Sequence, residues 1–113
     1  MSEHRKERLA ILLRKELSQL FSRERYVHNV WVTITRVQVS DGLRSATVLF
    51  TTIPKEAAEE TRRALTEQVL TIQRDVRKRI RLRTMPRLRF SPDVMEEEIM
   101  RVEELIDTLE PES

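Results

Sequence analysis

Apolar residues near the start of the chain recur at three- and four-residue steps. Leu9, Leu13, Leu17, Leu20 and Phe21 share one face, which predicts an amphipathic helix from Glu3 to about Ser22. Arg5, Lys6, Arg8, Arg14 and Lys15 occupy mostly the rest of that cylinder. "RERYVHN" breaks the pattern, and the period then drops to two. "VWVTITRVQV", residues 30–39, is rich in β-branched side chains and reads as a strand. Its alternation slips: Val30, Val32 and Ile34 share one parity, whereas Val37 and Val39 share the other. A bulge near Thr35–Arg36 would return both sets to one face. "SDGL" follows with the chain's only glycine, Gly42, and "RSATVLFTTI" gives a second strand with Ala46, Val48 and Phe50 on one side. Two strands around an Asp-Gly turn predict an antiparallel hairpin, with positive φ at Gly42.

Pro54 is placed to open the next helix, with Glu56 near the positive end of its dipole. Thr61, Leu65, Gln68/Val69, Ile72, Val76 and Ile80 keep helical spacing, so this helix is expected to run to about Arg79. Val69, Thr71 and Ile72 mark a place where it can kink. Pro86 stops any helix, "RLRF" (87–90) alternates as a short strand, and Ser91-Pro92-Asp93 reads as an N-cap and first turn. Met95, Ile99, Val102, Ile106 and Leu109 then describe a last amphipathic helix. The order helix, strand, strand, long or broken helix, strand, helix predicts an α+β domain, a small sheet covered by helices.

At 113 residues there is room for one core, and with 4% aromatic residues it must be built from Leu, Ile, Val and Met. There is no cysteine, so disulfides and thiolate chemistry are excluded. No apolar run approaches a membrane span, and "MSEHRKER" lacks the apolar block of a signal peptide. A soluble cytoplasmic protein is expected.

Charge changes the picture more than composition does. The net charge of +2 combines +3 over residues 1–28, zero over 29–73, +7 over 74–89 and −8 over 90–113. In "RKRIRLRTMPRLRF", residues 77–90, seven of fourteen side chains are basic and none is acidic. Arginine outnumbers lysine 17 to 4, which suits bidentate phosphate contacts. GC-rich coding would also raise arginine, but would not cluster it. The enzyme case is weak. His4 and His28 are the only histidines, no metal-ligand spacing or glycine-rich phosphate loop occurs, and Glu96, Glu97 and Glu98 fan out around a helix. No catalysis, cofactor or small-molecule substrate is expected. The basic cluster predicts a nucleic-acid surface built from Arg74, Arg77, Lys78, Arg79, Arg81, Arg83, Arg87 and Arg89, several of them lining one face. Arg5, Lys6 and Arg8 are expected to extend it from the first helix. Few aromatics accompany these residues, so backbone and shape recognition of folded RNA is expected rather than base stacking.

Three stretches resemble the bacterial ribosome-binding factor A family. "RLAILLRKELSQLFSRE" is similar to that family's opening helix through Lys15, Glu16 and Leu17. "VQVSDGLRSATV" is similar to its hairpin through Val37, Val39, Ser40, Leu43, Ala46 and Val48. The basic stretch is similar through Arg79, Arg81, Arg83, Pro86, Leu88 and Phe90. The resemblance runs from about Arg5 to Leu109. It implies a KH-type fold of the second class over residues 1–91, with an acidic amphipathic helix and tail over 92–113. It also implies binding to the small (30S) ribosomal subunit and its 16S rRNA during late folding and processing, and a part in growth in the cold. The family's Ala-x-Gly kink between the central helices falls on Gln68, Val69 and Leu70, and its Asp-Pro-Arg on Val27, His28 and Asn29. Lacking that glycine, the helix is expected to run straighter.

Two other readings compete with a monomeric rRNA binder. One is a protein–protein module that uses the last helix, and the other is a KH-like regulator of other RNAs. The charge asymmetry further suggests that the acidic end lies over the basic face until RNA displaces it.

Overall fold

The computed structural model describes residues 2–95, with side chains from His4 onward. The expected last helix beyond Met95, its seam of Ile99, Val102, Ile106 and Leu109, the Glu96–Glu98 face and the proposed cover by the acidic end all lie outside the described residues. Helix α1 spans Ser2–Arg23, and strands β1 (Trp31–Val39) and β2 (Ser45–Ile53) form the hairpin. Helices α2 (Ala58–Glu67) and α3 (Val69–Arg79) precede strand β3 (Arg87–Pro92). The sheet order is β1-β2-β3, with β1 antiparallel and β3 parallel to β2. Among the described residues no helix is long and apolar enough to cross a membrane.

The parity slip in β1 is a bulge. Ile34 pairs with Phe50 and Arg36 with Leu49, so Thr35 is the inserted residue. Ile34 and Val37 consequently both face the core, beside Ala46, Val48 and Phe50 of β2 and Leu88 and Phe90 of β3. Leu9, Leu13, Leu17 and Leu20 of α1, with Leu65, Ile72 and Val76 of α2 and α3, cover that face. The hairpin turns through a single 3-10 turn, Asp41–Leu43, in which Gly42 has φ +76° as expected. Leu43 also has positive φ, +59°.

Three expectations change at element ends. Pro54 is extended (φ −71°, ψ 151°) and leads into a 3-10 turn, Lys55–Ala57, so α2 begins only at Ala58. The central helix does not run straight. It breaks at Gln68, whose backbone (φ −103°, ψ 11°) is not helical, without a glycine or proline. Ser91 and Pro92 do not cap a helix but continue β3 as far as Pro92, opposite Phe50. An edge strand tolerates the missing proline N–H.

Asp93 follows and is buried. Its N–H donates to the Phe50 carbonyl at 2.7 Å. Its carboxylate accepts from Thr35 Oγ1 at 2.6 Å and from the Arg36 guanidinium at 3.1 and 3.2 Å. These donors replace the water that a buried carboxylate gives up. The Gln73 side-chain oxygen accepts the Leu88 N–H at 3.0 Å and ties β3 to α3.

Two buried polar groups give opposite expectations. Thr61 stands in the apolar seam of α2, fully buried, and its hydroxyl has no hydrogen-bond partner among the described residues. Thr61→Val keeps the shape and removes the orphan, so unfolding should become harder by about 1 kcal/mol. A lower urea midpoint would show that the hydroxyl finds a partner in solution. Tyr26, half-buried, donates its hydroxyl to Asp75 Oδ2 at 2.6 Å. Burial, then the Asp75 carboxylate, push the phenol well above its ordinary 10.0. The raised value means that this contribution to stability is complete below pH 10 and fades only above it. Tyr26 is the only tyrosine, so near-ultraviolet titration should show no phenolate near pH 10 while the chain is folded. Ionisation at the ordinary value would contradict the Asp75 bond.

Candidate nucleic-acid interface

The basic residues divide into groups with different neighbours. Leu70, Arg74, Arg77 and Lys78 are exposed and recur at four, three and one residues along α3, so they form one outward stripe. Ile72 and Val76 occupy the opposite, buried side of the same helix. Basic groups in the last turn also suit the negative end of the helix dipole. Arg81 and Arg83 are exposed on the connection to β3, which Leu82 and Ile80 pin to the core. Arg87 and Arg89 alternate with buried Leu88 and Phe90, so they emerge on the sheet face turned away from the helices. Several of these residues do share one face, Arg74, Arg77 and Lys78, while Arg87 and Arg89 stand on another, with the 80–86 connection between. None of these seven residues makes an ion pair or side-chain hydrogen bond with another described residue.

Arg79 is different. Its guanidinium donates to Glu16 Oε2 at 2.8 Å and to Gln19 Oε1 at 2.6 Å, both on α1. The side chains of Arg79 and Glu16 are only 20% and 14% exposed. The structure brings this arginine to the α1–α3 junction, where it holds the two helices together. Its charge is already matched before any partner arrives.

Among the α1 residues, Lys6 reaches Asp41 of the hairpin turn at 2.8 Å and holds that carboxyl below its ordinary range. Arg5 and Arg8 are exposed beside it. The Arg87 N–H donates to the Arg44 carbonyl at 2.8 Å, so β3 starts beside the same turn. Arg5, Arg8, Arg44 and Arg87 therefore gather at the hairpin end of the sheet. Lys6 and Glu16 are ten positions apart on α1, so the basic turn of α3 lies roughly 15 Å along that helix. Arg44 was missed in the sequence because it sits alone beside a turn; only the fold places it with the cluster.

The aromatic residues sit elsewhere. Phe50 and Phe90 are buried, and Phe21 packs between Phe90 and Tyr26 with ring centroids 6.2 and 5.0 Å away. Trp31, 71% exposed, pairs across the hairpin with Ile53, 68% exposed. That pair stands at the end of β1 opposite the turn. It borders a cleft of about 490 Å³ lined by Phe21, Arg25, Tyr26 and Ile34 among others. No member of the arginine cluster lines it. Among the described residues no group of three or more His, Cys, Asp or Glu is placed to hold a metal ion.

Comparisons with known proteins bear on the family and the fold. The family model described as ribosome-binding factor A matches residues 5–106. Relatives with that name include one from Anaplasma marginale, 34% identical over 102 residues (89% of this chain, 87% of that one). Another, from Desulfitobacterium hafniense, is 32% identical over 108 residues, 94% of this chain and 86% of that one. The crystal structure of ribosome-binding factor A from Thermus thermophilus superposes with a TM-score of 0.64 at 24% identity, covering 77% and 94% of the two chains. The solution structure of a Thermotoga maritima protein described as a putative ribosome binding factor A gives 0.54 at 27% identity, covering 78% and 82%. A Thermus thermophilus homology model fitted into the cryo-EM map of a 30S complex gives 0.61 at 23% identity, covering 71% and 86%.

The two kinds of arginine should separate in stability measurements. Arg79→Ala removes a largely buried ion pair and should lower the unfolding free energy by about 1–3 kcal/mol. Arg77→Ala, on the exposed stripe, should stay within about 0.5 kcal/mol. Urea unfolding of both variants checks this, and equal effects would contradict the division.

Proposed function

The chain belongs to the ribosome-binding factor A family, and on that premise we propose that it binds the small (30S) ribosomal subunit during its maturation. It contacts 16S rRNA and supports late rRNA folding and processing, acting in the cytoplasm as a monomer and by binding rather than by catalysis. The match to the family over residues 5–106 carries this reading. The fold-level likeness to a protein fitted into a 30S complex supports it.

The contact surface follows from which cations are not already paired with another described residue. Arg74, Arg77 and Lys78 on α3, with Arg81 and Arg83 beyond it, are exposed, have no ion-pair partner among the described residues, and provide the main phosphate contacts. Arg87 and Arg89 on the outer sheet face, and Arg5 and Arg8 beside the hairpin turn, extend the surface. Each cation that meets a phosphate releases condensed counterions, so affinity is high at low salt and falls steeply as salt rises. Guanidinium groups reading phosphate oxygens recognise the shape of a folded RNA more than its sequence. Arg79 and Lys6 act differently in this reading. They hold α3 and the hairpin turn against α1, and so set where the free cations stand.

Co-sedimentation with small subunits across a salt series tests the proposal. The wild-type chain should bind saturably, with affinity dropping steeply as salt increases. Changing Arg77, Lys78, Arg81 and Arg83 to Glu should abolish binding without unfolding the chain. Neutralising one of them with Ala should weaken binding and reduce the salt slope by about 1. A folded wild-type chain that sediments with neither immature nor mature subunits would overturn the reading.

A further inference from the structure

The break between α2 and α3 occurs where the chain has no residue that favours one. Gln68, Val69 and Leu70 are ordinary or good helix residues, and nothing in their backbones requires φ above zero. The cause lies in the Gln68 side chain. Its own N–H is turned to the Leu65 carbonyl, three residues back, at 3.1 Å. The Ala64 carbonyl, four residues back, is the acceptor that a regular helix would give to that N–H. Here it receives the Gln68 side-chain amide instead, at 3.1 Å. The same Nε2 donates its second hydrogen to the Tyr26 carbonyl at 2.6 Å, 42 residues away in sequence. The helix bond displaced by the break is therefore replaced from within the break, and the bend is anchored to the loop after α1.

The anchor is itself braced. Tyr26 donates its hydroxyl to Asp75 on α3 and packs its ring on Phe21 of α1. One residue of the loop thus touches the bend at its apex, Gln68, and α3 two turns further along, at Asp75. Beyond the apex, α3 carries the outward stripe of Leu70, Arg74, Arg77 and Lys78, with Leu70 73% exposed. Any change in the angle at Gln68 swings that stripe relative to Arg5, Arg8 and Arg87.

We propose that Gln68 is a positioning residue for RNA binding. Its side-chain amide, bridging the Ala64 and Tyr26 carbonyls, fixes the α2–α3 angle at which the cations of α3 meet the RNA. The proposal rests on the basic-face reading above for its functional part. It concerns geometry that can be measured without RNA.

Gln68→Met tests it, since methionine keeps the length and neutrality of the side chain and removes both donors. The chain has no cysteine, so spin labels at Glu60→Cys and Arg77→Cys report one distance across the bend. An unbroken helix would place these positions about 26 Å apart along its axis. Wild type should give a shorter, narrow distribution, and Gln68→Met should broaden it and move it towards that value. In unlabelled protein, the same substitution should weaken small-subunit binding by roughly twofold to tenfold. Gln68→Asn retains the donors on a shorter arm and should fall between the two; it also serves if the Met variant does not fold by circular dichroism. An unchanged distance in a folded Gln68→Met variant would overturn the proposal whatever happens to binding. So would a changed distance with wild-type affinity. If Arg77 and Lys78 can be changed to Glu without loss of affinity, the basic-face reading fails instead, and the distance measurement stands apart from it.

Discussion

A sheet covered on one side by helices has a single dry face, and every strand must present its apolar residues to it. Side chains on a strand alternate, so β1 cannot place both Ile34 and Val37 on that face without an extra residue between them. Thr35 is that residue. The bulge would be a weak point in an edge strand if nothing held it. Asp93 does so, taking the Thr35 hydroxyl and the Arg36 guanidinium on its carboxylate while its N–H meets Phe50 of β2. One buried carboxylate therefore fastens the bulge of β1, the middle of β2 and the end of β3 together. The seating of α1 on β1, and of the whole core beneath it, depends on this join.

From that join the placement of charge follows. Leu88 and Phe90 must point into the core, so Arg87 and Arg89 must point away from it. Ile72 and Val76 must face the sheet, so Arg74, Arg77 and Lys78 must face solvent. Arg79 falls between these two directions and meets Glu16 and Gln19 on α1. The cluster that looks uniform along the chain is sorted by packing into one structural cation and seven that have no ion-pair partner among the described residues.

What could be read beforehand was whatever a local pattern encodes. The slip in parity located the bulge, Asp-Gly located the turn, and leucine spacing located the α1 face. The features that escaped are contacts between residues far apart in sequence. Glu16 and Arg79 are separated by 63 positions and Tyr26 and Gln68 by 42, so no window holds both partners. A place for the helix to kink was legible near 69–72, but its cause at Gln68 was not: a glutamine is neutral towards bending until a carbonyl from another loop is beside it. Pro92 misled in a simpler way. Proline next to an N-cap type residue reads as a helix start, yet on an edge strand its missing N–H costs nothing. The cations of the interface were legible by composition, and so was the alternation of 87–90; their division between two faces was not, because it depends on how α3 and β3 are set against each other in the fold.

The sorting also explains why a domain with so dense a basic segment can be both stable and ready to bind. Seven cations without an ion-pair partner among the described residues repel one another where they stand close together. Were they all neutralised internally, as Arg79 is, an RNA phosphate would have to displace an existing partner and would gain little. Were none of them neutralised, α3 would have no charged tie to α1 and the stripe would have no fixed position. Using one arginine of the segment as a bolt and leaving its neighbours free meets both requirements. The bolt sits at the last turn of α3 and Gln68 at the first, so the stripe is held at both ends. A fixed array of cations loses little conformational freedom on meeting phosphates, which is where a pre-formed surface gains over a flexible basic tail of equal charge.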